Sequence, residues 1–195
     1  ILKDYEDNRY LANQYGYVLD NFERDWFSRG GMSMQACLLL DVEPYLYRDD
    51  VKQALRALFN GQAVSYFPDV RMNTEHALPD IADWRGDHFK SSDEANTAGW
   101  LRYLFVREEG DTLLLGQAVP REWLRAGQKC GLERTVTYFG KTSVAYSGGE
   151  NEITAALAGP TRNPPKQIRL RFREPNGRPL QSVIVNGKPW PKFKG

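Results

Sequence analysis

The spacing of apolar residues changes near residue 110, and no single kind of regular element satisfies both patterns. From Asp49 to Asn60, Val51, Ala54, Leu55, Leu58 and Phe59 fall at i, i+3, i+4, i+7 and i+8, one stripe of an amphipathic helix. Asp49 is placed to cap its start and Gly61 its end. Met34 to Val42 is apolar almost all round, with Ser33 as N-cap and Pro44 as a stop, which predicts a short, deeply buried helix. A third helix is predicted over 92–106, where Ala95, Ala98, Leu101, Leu104 and Phe105 recur with helical spacing and Ser91 with Glu94 forms a capping box. The segment Tyr5 to Phe27 has helical stretches whose limits Gly16 and Gly30-Gly31 blur.

After Gly110, short alternating runs bounded by turn residues predict strands over 112–115, 133–139, 142–146, 152–157, 167–172 and 182–185. Asn186-Gly187 is a strong two-residue hairpin signal. In the run from Ile168 to Arg173, Ile168, Leu170 and Phe172 share one face and arginines the other, which predicts a half-solvated antiparallel strand. The expected fold class is therefore α+β: a helical segment over 1–110 followed by an antiparallel β-sandwich over 111–195.

With 195 residues, 26 of them basic and 25 acidic, the chain is long enough to bury a core and close to neutral. That balance calls for neither nucleic acid nor an anionic membrane surface as a partner. No apolar run approaches the roughly 18 residues of a membrane span, and no signal peptide opens the chain. The chain begins at Ile1 without a Met, so a piece of a longer protein is expected. Cys37 and Cys130 lack metal-ligand spacing and read as free thiols.

Polar chemistry gathers in residues 73–96, which hold both histidines, six of the 25 acidic residues and one of the five tryptophans. Pro79 and Gly86 prevent a continuous helix, so the segment suits a shaped site. Trp84 offers a face on which the C–H side of a sugar ring stacks, while His76, Asp83, Arg85, Asp87, His88, Lys90 and Asn96 supply groups for its hydroxyls. Tyr66 and Phe89 could join them, whereas Trp100, inside the third helix, fits a core position. The histidines are twelve apart and match no two-ligand helical spacing, so neither metal nor other cofactor is expected. No nucleophile elbow, P-loop or dinucleotide fingerprint occurs.

Arg107 to Gln128 (REEGDTLLLGQAVPREWLRAGQ), the following LERTVTYFGKTSVAY and the ending PPKQIRLRFREPNGRPLQSVIVNGKPW resemble the C-terminal part of glycoside hydrolases built on an (α/α)6 toroid with a trailing β-sandwich. The resemblance covers residues 30–190 and implies a junction, a first sandwich hairpin and the last strands. It also implies the last helices of a toroid whose remainder is missing, so that the chain is either a fragment or a reduced relative, inactive alone. The missing N-terminal part would be its partner, a carbohydrate its ligand, and the space outside the cytoplasm, extracellular or periplasmic, its location.

Glycoside hydrolysis uses a protonated and an ionised carboxyl group. By resemblance the entrance of the third helix lines the sugar cup, which assigns Glu94 as the base, its charge favoured by the helix dipole. Glu75, beside His76 and ahead of apolar Ala77-Leu78, is then the acid of an inverting reaction. Ordinary capping explains Glu94 equally well, and Asp87 and Asp93 fit plain turn or cap roles. The competing expectation is a non-catalytic carbohydrate-binding or structural accessory module.

Overall fold

A computed structural model describes residues 42–73, 76–78, 83–85 and 91–194. The chain divides into two compact units, 1–103 and 104–195.

In the first unit, helix α1 (Val42–Tyr47) closes in a Schellman motif: Asp50 N–H donates to the Tyr45 carbonyl at 2.8 Å and Asp49 N–H to that of Leu46 at 3.1 Å. Asp49 takes the left-handed conformation this closure needs, with φ 59°. Asp50 then caps helix α2 (Val51–Ser65), its carboxylate accepting from Gln53 N–H at 3.4 Å. The cap is thus Asp50 rather than Asp49. Pro44 does not stop α1, because in the first turn its missing N–H has no helical acceptor to serve. Gly61 does not stop α2 either. An internal glycine costs only about 1 kcal/mol against alanine, and Val51, Ala54, Ala57 and Leu58 anchor the helix by burial. Phe59, expected in the stripe, is 41% exposed. The remainder of the predicted 34–42 helix, and the segment 5–27, lie outside the described residues.

Two short antiparallel ribbons follow, β1 (Tyr66–Phe67) with β2 (Met72–Asn73), and β3 (His76–Leu78) with β4 (Asp83–Arg85). Helix α3 (Ser91–Phe105) then runs without a loop into strand β5 (Val106–Glu109).

In the second unit β5 pairs antiparallel with β6 (Thr112–Leu115), which pairs in parallel with β10 (Gln167–Leu170). A 3-10 turn (Arg121–Leu124) leads to β7 (Lys129–Thr137), which forms a long hairpin with β8 (Gly140–Gly148) and, through it, a sheet with β9 (Ile153–Ala158). The last ribbon pairs β11 (Ile184–Val185) with β12 (Lys188–Pro189) across the Asn186-Gly187 turn, where φ is 50° and 77°. Leu113, Leu115, Val119, Leu124, Val144 and Tyr146 fill the core of this unit. Gly116 is required there: with φ 70° it lies so close to the Tyr146 hydroxyl that a Cβ would overlap that oxygen and come within 2.7 Å of the Arg171 carbonyl.

The expected architecture, a partial α/α toroid followed by an antiparallel sandwich, is not what forms. The described residues contain three α-helices interleaved with strands, and five small sheets. Ribbons separate α2 from α3, so these helices are not consecutive members of a helical hairpin, and the β6–β10 pair is parallel. Residues 168–173 show why the alternation misled: the strand ends at Leu170, both Ile168 and Leu170 remain exposed, and Phe172 leaves it to meet Tyr146 edge-on at 6.1 Å. Among the described residues no helix is long and apolar enough to cross a membrane.

Candidate functional site

Helix α3 presents to the interior a face other than the one its alanines mark. Asp93, Thr97, Trp100 and Leu104 are buried at i, i+4, i+7 and i+11, whereas Ala95, Ala98 and Leu101 are exposed. Two polar residues are thereby taken out of water, and burial without partners would be costly. Thr97 is the hub of a side-chain network that meets this demand. Its hydroxyl accepts from the Gln62 amide at 2.9 Å and from the Asn73 amide at 3.5 Å. The Asn73 carbonyl in turn accepts from the Ser65 hydroxyl at 3.4 Å and from Gln62 at 3.5 Å. Asp93, fully buried in the first turn of α3, accepts from the Ser92 hydroxyl at 3.1 Å. That position favours its negative charge.

The network ties α2, β2 and α3 together at a definite place in the chain. Asn73 ends β2, and β3 begins three residues later, a reach of at most roughly 10 Å. The β3–β4 ribbon therefore begins a short chain distance from a hydrogen-bonded residue. None of Gln62, Ser65, Asn73 and Thr97 stands out in the sequence as a site residue. The available signal was partial: Gln62 and Ser65 share a face of α2 at i and i+3, and Asp93 and Thr97 share one of α3 at i and i+4, where the alanines suggest a different stripe.

The ribbon gathers four of the sequence-predicted residues. His76 stands opposite Arg85, Ala77 opposite Trp84, and Leu78 opposite Asp83. Strand alternation assigns the 77/84 position to one face of the ribbon and the 76/85 and 78/83 positions to the other. Trp84 thus belongs to a different face from Asp83 and Arg85, its neighbours in sequence. Glu94 and Asn96 are half-buried in the first turns of α3, on either side of the Asp93–Thr97 line. Glu75, Asp87, His88 and Lys90 lie outside the described residues, as does Phe89. Trp100 is a core residue, and Tyr66 is 39% exposed on β1.

Among the described residues no group of three or more His, Cys, Asp or Glu side chains could hold a metal ion. In the second unit Cys130 is a free thiol whose partial burial pushes its pKa up, and its Sγ lies 3.7 Å from the Trp123 carbonyl oxygen. Burial, and secondarily the charge of Cys130, raise the pKa of Tyr146 well above the ordinary range. Both groups are thus held protonated at neutral pH, which suits neither to act as a nucleophile.

Comparison with known proteins returns no matching family model, no matching curated protein and no matching solved structure. The sites described above therefore rest on the geometry and chemistry of this chain.

Proposed function

We propose that this chain is the carbohydrate-contacting portion of a carbohydrate-active enzyme of glycoside-hydrolase-like chemistry, with the β3–β4 ribbon and the first turn of α3 as its sugar contact. The observation that carries the reading is the ribbon register, which brings the His76, Arg85 and Asp83 positions to one face of the ribbon. Imidazole, guanidinium and carboxylate groups of this kind bind sugar hydroxyls, while Trp84, on the other face, offers a separate stacking surface. The buried network ends at Asn73, three residues before the ribbon, and an anchored approach lowers the ordering cost of binding. Sequence resemblance of residues 107–128 and of the C-terminal strands to carbohydrate-active enzymes favours sugars over other polar ligands.

Within this reading Glu94 acts as the base and Glu75 as the acid of an inverting hydrolysis. The accessory alternative, binding without turnover, gains from one observation: Glu94 sits in an ordinary first-turn position, next to the fully buried Asp93. The test is binding of the chain to a panel of immobilised neutral and acidic glycans, repeated with Trp84→Ala and with Arg85→Ala. Binding that falls at least tenfold in either variant supports the ribbon as the contact. Wild-type binding to no glycan, or binding unchanged in both variants, overturns it. Hydrolysis of a bound glycan that Glu94→Gln abolishes distinguishes enzyme from accessory module.

A further inference from the structure

The two units carry opposite charge: residues 1–103 hold 17 acidic and 11 basic side chains, net −6, and residues 104–195 hold 8 acidic and 15 basic, net +7. The imbalance is sharpest at the end of the chain, where residues 160–195 contain nine basic residues and a single carboxylate, Glu174. That carboxylate is already engaged. It accepts from Asn176 N–H at 2.7 Å and Arg178 N–H at 2.8 Å, and pairs with the Arg178 guanidinium at 3.0 Å. Beyond Arg178 no acidic residue remains to offset Lys188, Lys192 and Lys194.

Lys188 lies on a strand, and Lys192 and Lys194 follow it in the segment that carries an exposed aromatic ring. Lys188 opens β12, and the ladder extends one step further through Trp190 N–H, which donates to the Val183 carbonyl at 2.8 Å. The indole N–H donates to the Lys192 carbonyl at 3.0 Å, fixing the ring against its own chain. Alternate positions 188, 190, 192 and 194 are therefore Lys, Trp, Lys and Lys, all exposed, whereas Phe193 between the last two is half-buried. Strand alternation places Lys188 and Trp190 on the same ribbon face as Val185. Pro189 and Pro191 restrict the backbone in between, which lowers the entropy lost when a ligand orders it. Trp190 remains 48% exposed.

We propose that the β11–β12 ribbon and the Trp190–Lys194 segment form a docking surface for an acidic polysaccharide bearing uronate carboxylates. The proposal rests on the carbohydrate reading above and names the charge class of its ligand at a second place in the chain. A uronate polymer offers what this surface lacks: sugar C–H faces for the indole and a regularly spaced carboxylate for each lysine. A nucleic acid is the other polyanion that three lysines and an indole could meet, and the DNA arm of the test distinguishes it. A protein partner would have to desolvate three lysines around one tryptophan, which is expensive without matching carboxylates.

The test measures the affinity of the chain for polygalacturonate, for the same polymer with its carboxylates methyl-esterified, and for single-stranded DNA. The Lys188→Gln/Lys192→Gln/Lys194→Gln variant, Trp190→Ala and Trp84→Ala are compared with wild type, with circular dichroism confirming the fold. The expected result is binding to polygalacturonate that weakens at least tenfold on esterification, in the lysine variant and in Trp190→Ala, and that tightens as salt is lowered. Polygalacturonate affinity unchanged in the lysine variant, or tighter binding to DNA than to polygalacturonate, overturns the proposal. If Trp84→Ala alone removes binding, this surface is excluded while the ribbon reading stands. If Trp84→Ala leaves all glycan binding intact and the lysine variant removes it, the ribbon reading fails while this surface stands.

Discussion

The two units bury polarity in different ways. Residues 1–103 place Ser65, Asn73 and Thr97 in the interior and connect them with Gln62 in one amide and hydroxyl network. The interior of residues 104–195 is mostly aliphatic and aromatic, its buried Arg107 and Thr137 bonded to near neighbours in sequence, Gln117 and Glu109 for the first and the Gly140 carbonyl for the second. A hydrogen-bonded interior stabilises little per bond, since each bond replaces one to water, but it is intolerant of the loss of one partner. An apolar interior stabilises by area removed from water and by close packing. The first arrangement specifies geometry beside a candidate site, and the second holds strands whose exposed side carries charge.

The largest expected effect tests the packed side of this contrast. Gly116→Ala must displace the Tyr146 hydroxyl or the Arg171 carbonyl and also holds φ 70°, so it should destabilise the second unit by about 3 kcal/mol or more, measured by urea unfolding. Near-neutral behaviour would show that the Tyr146 contact is loose. Next, Asn73→Ala should cost about 1–3 kcal/mol by leaving the Ser65 and Thr97 hydroxyls and the Gln62 amide short of partners. In a double-mutant cycle with Thr97→Val the two losses should not add, because both remove the same network. Additive losses would dissolve the network into independent contacts.

A smaller effect has the opposite sign. The Tyr146 hydroxyl is buried without a hydrogen-bond partner among the described residues, so Tyr146→Phe should stabilise by up to about 1 kcal/mol. The same residue fixes a pH dependence. Its pKa is raised in the folded state, so its contribution to stability is complete below the ordinary tyrosine value of 10.0 and is lost as pH rises above it. Unfolding midpoints measured from pH 8 to 12 should fall less steeply in Tyr146→Phe. Smallest of all, the triple lysine variant at 188, 192 and 194 should change stability by less than about 0.5 kcal/mol, since these exposed side chains make no ion pair among the described residues.

Local elements were legible in the sequence where one residue dictates the geometry. Asn186-Gly187 gives the β11–β12 turn because both positions require positive φ. The run Thr112–Leu115 gives β6 because two leucines alternate into the core. The α2 stripe gives a helix because burial of Val51, Ala54 and Leu58 needs that period. The buried face of α3 was not legible, because Ala95, Ala98 and Leu101 mimic an apolar stripe while the true one begins with Asp93 and Thr97, and Thr97 finds its partners 24 and 35 residues away. The architecture was not legible either: parallel pairing of β6 with β10 joins segments far apart in the chain, and periodicity carries no information about such pairing. Of the candidate site, the sequence singled out His76, Asp83, Trp84 and Arg85, but it treated Trp84 and Arg85 as one cluster, which the strand alternation separates.

The most direct measurement of the central claim is the affinity of the chain for a glycan panel, by calorimetry, with wild type and Trp84→Ala side by side. Sugar binding by the β3–β4 ribbon predicts a saturable heat with at least one glycan that weakens tenfold or more in Trp84→Ala while circular dichroism stays unchanged. The absence of any glycan heat in the folded wild type, or equal affinities in the two proteins, would contradict it.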